Sequence, residues 1–355
     1  VVAAIIGFPL NFFIILSIFI SFKTNIVVLA IGVVVAYLAQ LSILLLFLKN
    51  GDYKYSTFFN IKDENLKKMI YLALPVILGT SVNQINQIVD KTIASRIAVG
   101  GISALNYAHK LDAFMQGVFI VSIATVMYPV ISKLAAKNDI IGFKKTVSES
   151  ITAVNFIVIP ATVGSIIFSE PIINLLFGRG AFNNEALEIT ASAFLFYSIG
   201  MVGYGQKSIL RNAFYSLQDT KTPVINSSIA VIMNIGLNII LSRYIGIGGL
   251  ALATSISAIF CTGLLFISLH RKIGPFGMKQ ISISFLKILF SSFFMGLLAK
   301  ISFNYLAVSL PQNLSLLLAI IVGALSYFVI IYFMKIEDVD IIINALKKRI
   351  RSKVS

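Results

Sequence analysis

The chain has 355 residues, of which 58% are hydrophobic and 12% charged, and it carries a formal net charge of +15. The excess of cations does not indicate a nucleic-acid-binding protein, because the charges are spread between apolar runs and form no basic domain that could hold a duplex. The single cysteine, Cys261, excludes a disulfide within this sequence and a thiolate metal site.

About ten apolar runs follow one another along the chain, and each is long enough to cross a bilayer. They lie at roughly 1–21, 25–48, 69–94, 104–131, 147–177, 187–216, 222–242, 247–269, 283–306 and 313–334. A helix needs about twenty apolar residues to cross the hydrocarbon core. The pattern therefore predicts an all-α, polytopic membrane protein with about ten transmembrane helices.

Lysines and arginines concentrate in the gaps after the even-numbered runs, above all in 49–68 and 335–355. Basic residues near the ends of membrane helices stay on the cytoplasmic side. We therefore predict a cytoplasmic C-terminus, with the anionic lipids of the inner leaflet as the counterpart of the charge. The sequence begins at Val1 inside an apolar run, without an initiator methionine, which favours a fragment that lacks the N-terminal part of a longer protein.

Polar breaks divide the chain into five predicted segments. They are the last two helices of an N-terminal lobe (1–48), a cytoplasmic linker (49–68), a six-helix C-terminal lobe (69–270), a final helix pair (271–334) and a cytoplasmic amphipathic tail (335–355). This order fits a two-lobe transporter, in which the substrate binds between the lobes and the lobes rock between inward-open and outward-open states.

A few residues are expected to shape the helices. Pro160 lies in the middle of the fifth run and should kink its helix, because proline has no amide hydrogen. From the sequence, a hinge and a passive bend both remain open. Small residues such as Gly200 and Gly203 should let neighbouring helices approach closely.

Polar side chains inside the third run form a stripe that cannot face lipid. Asn83, Gln87 and Asp90 fall on one helical face, and Asn86 flanks it. One interpretation is that the stripe lines a substrate cavity or an ion site. The other is that it forms hydrogen bonds between helices or a tie between Asp90 and Lys91.

The fourth and sixth runs contain cations. Asn106, His109 and Lys110 share a face of the fourth run, where a lysine either snorkels outward or lines a cavity for an anionic substrate, which we favour. Lys207 and Arg211 of the sixth run either snorkel towards the cytoplasm or dock a phosphate that enters from that side.

Four oxygen donors recur on three of the runs. Asn234 and Asn238 are four residues apart and face one point, and Thr254 and Asp90 add further oxygens. Hard cations such as Na⁺ prefer oxygen ligands. Asparagine pairs in membrane helices also serve as packing contacts, so spacing alone leaves both interpretations open.

The sequence contains no phosphate-binding glycine loop, no paired-aspartate motif and no zinc-binding spacing. These absences favour a transporter over an enzyme, and we expect no cofactor other than a coupling ion. A membrane-embedded glycosyl- or phosphotransferase would need clustered acidic residues at the cytoplasmic face, and the linker offers only Asp52, Asp63 and Glu64.

The same segments resemble the MurJ (MviN) lipid II flippases of the multidrug/oligosaccharidyl-lipid/polysaccharide exporter superfamily. The resembling stretches are ALPVILGTSVNQINQIVDKTIAS (73–95), GISALNYAHKLDAFMQGVF (101–119), TVMYPVIS (125–132), LLFGRGAFN (175–183), LRNAFYSLQDTKTPV (210–224) and MNIGLNIILSRYIGIGGLALATSIS (233–257). The pair of GRGAF and AFYSLQDTKTP at this spacing is the most specific of these features.

The resemblance implies a V-shaped, two-lobe fold of fourteen helices, of which this chain would supply helices five to fourteen. It implies a monomer in the bacterial cytoplasmic membrane that moves lipid II, the undecaprenyl-linked precursor of peptidoglycan, to the outer leaflet. It also implies a central cationic cavity and a groove for the lipid tail over 271–334. A polysaccharide-lipid flippase or a multidrug/cation antiporter of the same superfamily remains the alternative.

By the same resemblance, Lys110 takes the place of a cavity arginine and keeps its charge, but it lacks the bidentate fork that suits a pyrophosphate. Asp90, Asn234, Asn238 and Thr254 match a sodium site, which the backbone of Leu250 completes. Asn238 stands where an aspartate is sometimes found, which should lower the charge and the affinity of the site.

Overall fold

The computed structural model describes residues 7–22, 24–49 and 63–334, which are almost entirely helical and include no strand. The helices are α1 (Gly7–Ser21), α2 (Ile26–Lys49), α3 (Glu64–Ile97), α4 (Gly101–Gln116), α5 (Ser122–Ala136), α6 (Ile140–Ile167), α7 (Ser169–Phe177), α8 (Asn184–Ser216), α9 (Lys221–Ile245), α10 (Ile247–Ile273), α11 (Met278–Leu306) and α12 (Gln312–Phe333). All ten predicted runs are helical over nearly all of their described residues, so the all-α fold class is confirmed. The predicted tail (335–355) and most of the predicted linker (50–62) lie outside the described residues.

Eight of the described spans are long and apolar enough to cross a membrane. The other two predicted runs correspond to α1, with 15 described residues, and to α3, whose 34 residues include the polar stripe around Asp90. The fourth predicted run comprises α4, a π-helical segment (Gly117–Val121) and α5. The fifth continues beyond α6 into α7. The number of about ten crossings stays a prediction.

The chain separates into two compact units, Val1–Lys67 and Lys68–Ser355. In the first unit α1 packs along α2, and Ser17 lies against Gly32. A Cβ atom on Gly32 would overlap the Ser17 side chain, so this contact needs a glycine. The predicted division into five segments stays a prediction.

In the second unit α8 is central and packs against α10, α6 and α4. Its approach to α10 is close, because a Cβ atom on Gly203 would lie only 3.0 Å from the backbone nitrogen of Ile259. The Ser255 hydroxyl donates to the Phe196 carbonyl (2.6 Å), and the Thr262 hydroxyl donates to the Gly203 carbonyl (2.8 Å). Small residues and interhelical hydrogen bonds together hold this pair, as is usual in membranes.

Asp219 closes the turn between α8 and α9, within the LQDTKTP stretch. Its carboxylate accepts hydrogen bonds from the Thr222 amide (3.0 Å), the Thr222 hydroxyl (2.8 Å) and the Lys272 ammonium (2.6 Å). Burial alone would raise the pKa of Asp219, but these hydrogen bonds and the charge of Lys272 hold the pKa below its usual value. The turn is therefore tied to the end of α10 in the ionised form.

The final helix pair is attached at the proline of α6. Pro160 has no amide hydrogen, so the carbonyl of Phe156, four residues earlier, lacks its helical donor. The Tyr327 hydroxyl of α12 donates to that carbonyl at 2.7 Å, and Tyr327 is buried. Because an unpaired carbonyl inside a membrane is costly, Tyr327 compensates directly for Pro160 and fixes α12 at this point.

Replacing Tyr327 by phenylalanine should destabilise the protein by about 1–3 kcal/mol, because the Phe156 carbonyl loses its donor. On a Pro160→Ala background the restored amide hydrogen can bond that carbonyl within α6, so the same replacement should cost much less. The measurement is a double-mutant cycle of unfolding in detergent, with the exposed Tyr332→Phe as control. Equal losses on both backgrounds would contradict this pairing.

Candidate functional site

A polar cavity of about 430 Å³ lies between α3, α4 and α8 in the second unit. Amides, hydroxyls and charged groups form much of its wall, including Asn86, Gln87, Asp90, Lys91, Asn106, His109, Gln116, Tyr197, Tyr204, Lys207, Ser208, Arg211 and Thr254. Lipid cannot satisfy polar groups of this kind. A polar wall on membrane-spanning helices therefore indicates a site for water, an ion or a polar ligand.

Three cations line this cavity: Lys91 of α3, and Lys207 and Arg211 of α8. None of them forms an ion pair with a residue in the described part of the chain. Lys207 and Arg211 are four residues apart and therefore share one face of α8. Because no carboxylate of this part pairs with them, the three side chains can attract an anion into the cavity.

Some of the predicted substrate-binding residues line the cavity and others do not. Gln87, Asn106 and His109 do, and the His109 ring packs edge-on against Tyr197 with ring centroids 5.8 Å apart. The Asn83 side chain lies outside the described residues. The Lys110 side chain is exposed and is not part of the cavity wall.

The different positions of His109 and Lys110 follow from helix geometry. Consecutive residues are about 100° apart around a helix, so when His109 points into the cavity, Lys110 points along its edge. From the sequence, Lys91 is considered only as a possible ion-pair partner of Asp90. For Lys207 and Arg211, the sequence does not decide between snorkelling towards the cytoplasm and docking of a phosphate. Only the folded chain shows that Lys91, Lys207 and Arg211 line the same cavity. A role for Lys110 in binding stays a prediction.

The five residues predicted to bind sodium lie together beside this cavity. Asn238 is fully buried, and its amide group donates to Asp90 Oδ1 (2.6 Å) and to Asn234 Oδ1 (2.9 Å). Asn234 donates to the Thr254 hydroxyl (3.4 Å), which donates to the Leu250 carbonyl (3.0 Å). The side chains and the backbone carbonyl thus form one continuous hydrogen-bonded cluster from α3, α9 and α10, which we call the Asp90 cluster.

The donor set of the Asp90 cluster fits a small hard cation. It offers oxygens from one carboxylate, two amides, one hydroxyl and one backbone carbonyl, which are the ligand types such cations prefer. The buried Oδ1 of Asn238 has no hydrogen-bond partner among the described residues. Rotating this amide by about 180° exchanges its oxygen and nitrogen. A cation beside Asp90 would then meet the Asn238 oxygen in place of the amide hydrogens.

A second, apolar pocket of about 370 Å³ lies between α6, α11 and α12. Pro160 and Gly164 of α6, Gly296 of α11, and Gly323 and Tyr327 of α12 contribute to its wall. The pocket therefore lies between α6 and the helix pair for which the resemblance implies a groove for a lipid tail. Its wall is almost free of polar groups, as a hydrocarbon chain requires.

Comparison with known proteins places this architecture in one family. The model of the family described as lipid II flippase MurJ matches residues 3–335. The chain belongs to the lipid II flippase MurJ family. A solved structure, "Lipid II flippase MurJ, inward closed conformation", superposes with a TM-score of 0.74 at 30% identity and covers 92% of this chain and 65% of that one.

Curated relatives of the MurJ family agree with this assignment. A probable lipid II flippase MurJ of Vibrio cholerae serotype O1 is 37% identical over 242 residues, which are 68% of this chain and 46% of the relative. That of Thermotoga maritima is 29% identical over 315 residues, which are 89% of this chain and 62% of the relative. The chain thus spans about half to two thirds of the length of these relatives.

The cation-lined cavity should be reachable by water-soluble anions. Ser208 lines the cavity and can be replaced by cysteine. For this cysteine, the ratio of the reaction rate with a negatively charged thiosulfonate to that with a positively charged one should be severalfold higher than the same ratio for a free thiol in solution. Native Cys261 is fully buried and should stay unlabelled.

The measurement is the labelling rate by mass spectrometry in detergent. Ser198→Cys is the control, because Ser198 lies on the same helix but is fully buried. Equal labelling at the two positions would show that the cavity is not the accessible part of α8.

Proposed function

We propose that the protein translocates lipid II from the inner to the outer leaflet of the bacterial cytoplasmic membrane, by alternating access, for peptidoglycan synthesis. The observation that carries the proposal is the polar cavity with three cations that no described carboxylate pairs with. A pyrophosphate-linked headgroup is an anion with many hydrogen-bonding groups, and the cavity offers both kinds of partner. Membership of the MurJ family and the names of its relatives support this choice of substrate.

In this mechanism the cations bind the pyrophosphate. Arg211 can bind two phosphate oxygens through its planar fork, whereas Lys207 and Lys91 act as point charges. Asn106 and His109 of α4 line the same cavity and would bind groups next to the pyrophosphate. Lys110, at the edge of the same helix, would meet the headgroup as it enters or leaves.

The lipid tail would remain in hydrocarbon throughout the transfer. The apolar pocket beside α11 and α12 supplies a surface for it, and burial of each methylene contributes about 0.8 kcal/mol. The protein therefore has to move only the polar headgroup through its interior. The polar headgroup and the apolar tail of the substrate thus correspond to the polar cavity and the apolar pocket of the second unit.

We further propose that Na⁺ binds in the Asp90 cluster and biases the transport cycle. The ion supplies positive charge beside a carboxylate that otherwise has only amide donors. Such an ion can drive a conformational change only if it binds the two states with different affinity. The part of the cluster that differs between states would be α3, because Asp90 is its sole contribution, whereas α9 and α10 pack directly on each other.

The positions of the cations also bear on the topology and on the alternative substrates. We propose a cytoplasmic C-terminus, as the distribution of basic residues indicates. We also propose that the transporter is a monomer, which the resemblance to the MurJ family implies. A multidrug antiporter for cationic compounds would need an acidic cavity, which these cations oppose. A polysaccharide-lipid flippase would share the anionic pyrophosphate and has to be distinguished by experiment.

The test of the substrate uses cells depleted of their own lipid II flippase, in which the protein is expressed from its complete gene. Exposure of lipid II to an externally added cleaving enzyme should be restored by the wild type. Lys207→Ala combined with Arg211→Ala should reduce it at least about tenfold, because two charge-assisted contacts are lost. Lys279→Ala, which removes an exposed cation at the start of α11, should have no effect.

Two other outcomes would change the assignment. No restoration by a well-expressed wild type would reject lipid II and leave the polysaccharide-lipid alternative. Restoration by the double variant would keep lipid II and remove this pair of cations from the mechanism. Exposure of lipid II is also measured for Lys110→Ala. This variant tests the predicted contact at the edge of the cavity independently of the contacts on the cavity wall.

Sodium binding should appear as a rise in melting temperature in NaCl relative to choline chloride, because a ligand of the folded state stabilises it by mass action. Asp90→Asn should abolish the rise. Asn238→Asp should move it to lower Na⁺ concentration, because the site gains a carboxylate. Asp112→Asn is the matched control, since Asp112 is also buried but bonds to Gln116 outside the cluster. The site is rejected if Asp90→Asn keeps the full rise.

A further inference from the structure

We infer that a third pocket, at the end of the second unit where α3 ends and α4 begins, binds a sugar ring of the headgroup on the outer side of the membrane. The identity of this ligand rests on the proposed function. The chemistry of the ligand rests on the pocket itself, which we call the rim pocket.

The rim pocket has a volume of about 560 Å³ and lies between the start of α4, the end of α7 and the start of α8. The loop that contains the GRGAF stretch forms one side of it. Pockets of about 300–1,000 Å³ are typical of small-molecule sites, so one or two sugar rings fit. The rim pocket shares none of its lining residues with the polar cavity or with the apolar pocket.

One wall of the rim pocket is aromatic. Tyr107 of α4 lies 4.9 Å from Phe177 and 6.0 Å from Phe182, and the two phenylalanine rings are 6.2 Å apart, measured between ring centroids. The carbon–hydrogen face of a pyranose ring packs well on aromatic rings, which offer a large, rigid apolar surface with a negative face. Tyr107 remains partly exposed and can therefore receive a ligand.

The part of the wall that α8 forms contains a polar group without a partner. Thr190 of α8 is fully buried, and its hydroxyl forms no hydrogen bond to any described residue. Threonine in a helix usually donates to the carbonyl four residues earlier, so a buried hydroxyl without this bond destabilises the ligand-free protein. Because Thr190 has no exposed surface in the ligand-free protein, a sugar hydroxyl, which both donates and accepts, would supply the missing partner after a small shift of the residues that cover it.

The charges of the rim pocket favour a neutral sugar over a phosphate. Arg179 and Glu185 both belong to the wall, so it carries one charge of each sign. They form no ion pair with each other. Opposite charges cancel the attraction for a free anion, but each can hydrogen-bond to hydroxyl and acetamido groups. The polar cavity, with three cations, has the reverse preference.

Helix α4 connects the two sites. Asn106 and His109 face the polar cavity, whereas Ser103 and Tyr107 of the same turns face the rim pocket. Asn106 and Tyr107 are consecutive residues. In the proposed path, a headgroup that leaves the cavity towards the outer surface would move around α4, from the face of Asn106 and His109 to the face of Ser103 and Tyr107.

The test is ligand-observed NMR on the purified full-length protein with three water-soluble probes. Saturation transfer reports binding of N,N′-diacetylchitobiose and of the dipeptide D-alanyl-D-alanine, and phosphorus-31 line broadening reports binding of inorganic pyrophosphate, which has no carbon-bound protons. We expect saturation transfer to the disaccharide, weakened roughly tenfold in Tyr107→Ala, because the stacking surface is lost. Tyr305→Ala, on an exposed tyrosine near the end of α11, should bind like the wild type.

Thr190→Val separates binding from folding. It removes a hydroxyl that has no described partner and keeps the shape of the side chain. We therefore expect weaker disaccharide binding with an unchanged or higher melting temperature. A lower melting temperature with unchanged binding would show that Thr190 is structural and would overturn its role.

The inference is overturned if the wild type shows no transfer to the disaccharide or if Tyr107→Ala binds it as well as the wild type. Binding of the dipeptide instead would replace the sugar by the peptide part of the headgroup and would equally overturn the proposal. If the disaccharide fails while pyrophosphate binds and lipid II exposure is restored in cells, the proposed function stands without the rim pocket. If the disaccharide binds but no lipid II is exposed, the pocket stands and the lipid II assignment falls.

Discussion

A polar group inside a membrane must find its partner within the protein, and this constraint organises the second unit. Hydrocarbon offers no donor or acceptor, so each unpaired group costs several kcal/mol. Pro160 frees one backbone carbonyl, and Tyr327 of a helix distant in sequence is recruited to it. Asp90 brings a carboxylate into the bundle, and asparagines from α3 and α9 bond to it. The hydrogen bond of Tyr327 joins α12 to α6, and that of Asn238 joins α9 to α3. These directional bonds fix the relative positions of the helices, which non-directional apolar packing does not.

The sequence predicts the features that depend on local pattern and misses those that depend on helix rotation and on long-range contacts. Apolar runs of about twenty residues define the helices whatever their neighbours are. The i,i+4 spacing of Asn234 and Asn238 places both amides on one face of any helix that contains them. The contact between Tyr327 and Phe156 joins residues 171 positions apart, and no local signal marks it. A neighbouring helix likewise decides that His109, and not Lys110, points into the cavity.

The Asp90 cluster shows why spacing alone leaves two interpretations open. Packing by hydrogen bonds and binding of a hard cation use the same atoms in different orientations. With amide hydrogens turned towards Asp90, the cluster joins α3 to α9; with amide oxygens turned inward, it becomes a ligand set. A polar cluster that can adopt both states is well suited to a transporter, because each state satisfies the carboxylate. Loss of the ion then does not leave an unpaired charge in the bundle.

Asp90 and Lys91 are consecutive on α3, and under the proposed function this adjacency would link the ion to the substrate. Asp90 is part of the cluster, whereas Lys91 extends along the cavity wall, with Cα atoms about 3.8 Å apart. A Na⁺ ion bound at Asp90 would neutralise the only carboxylate among the described residues of the cavity wall. It would therefore raise the attraction of the three cations for an anionic headgroup. Binding equilibria are reciprocal, so in this mechanism the headgroup would raise the affinity for the ion by the same factor. In the proposed mechanism, two sites on one turn of α3 would thus be coupled without a long chain of intermediate contacts.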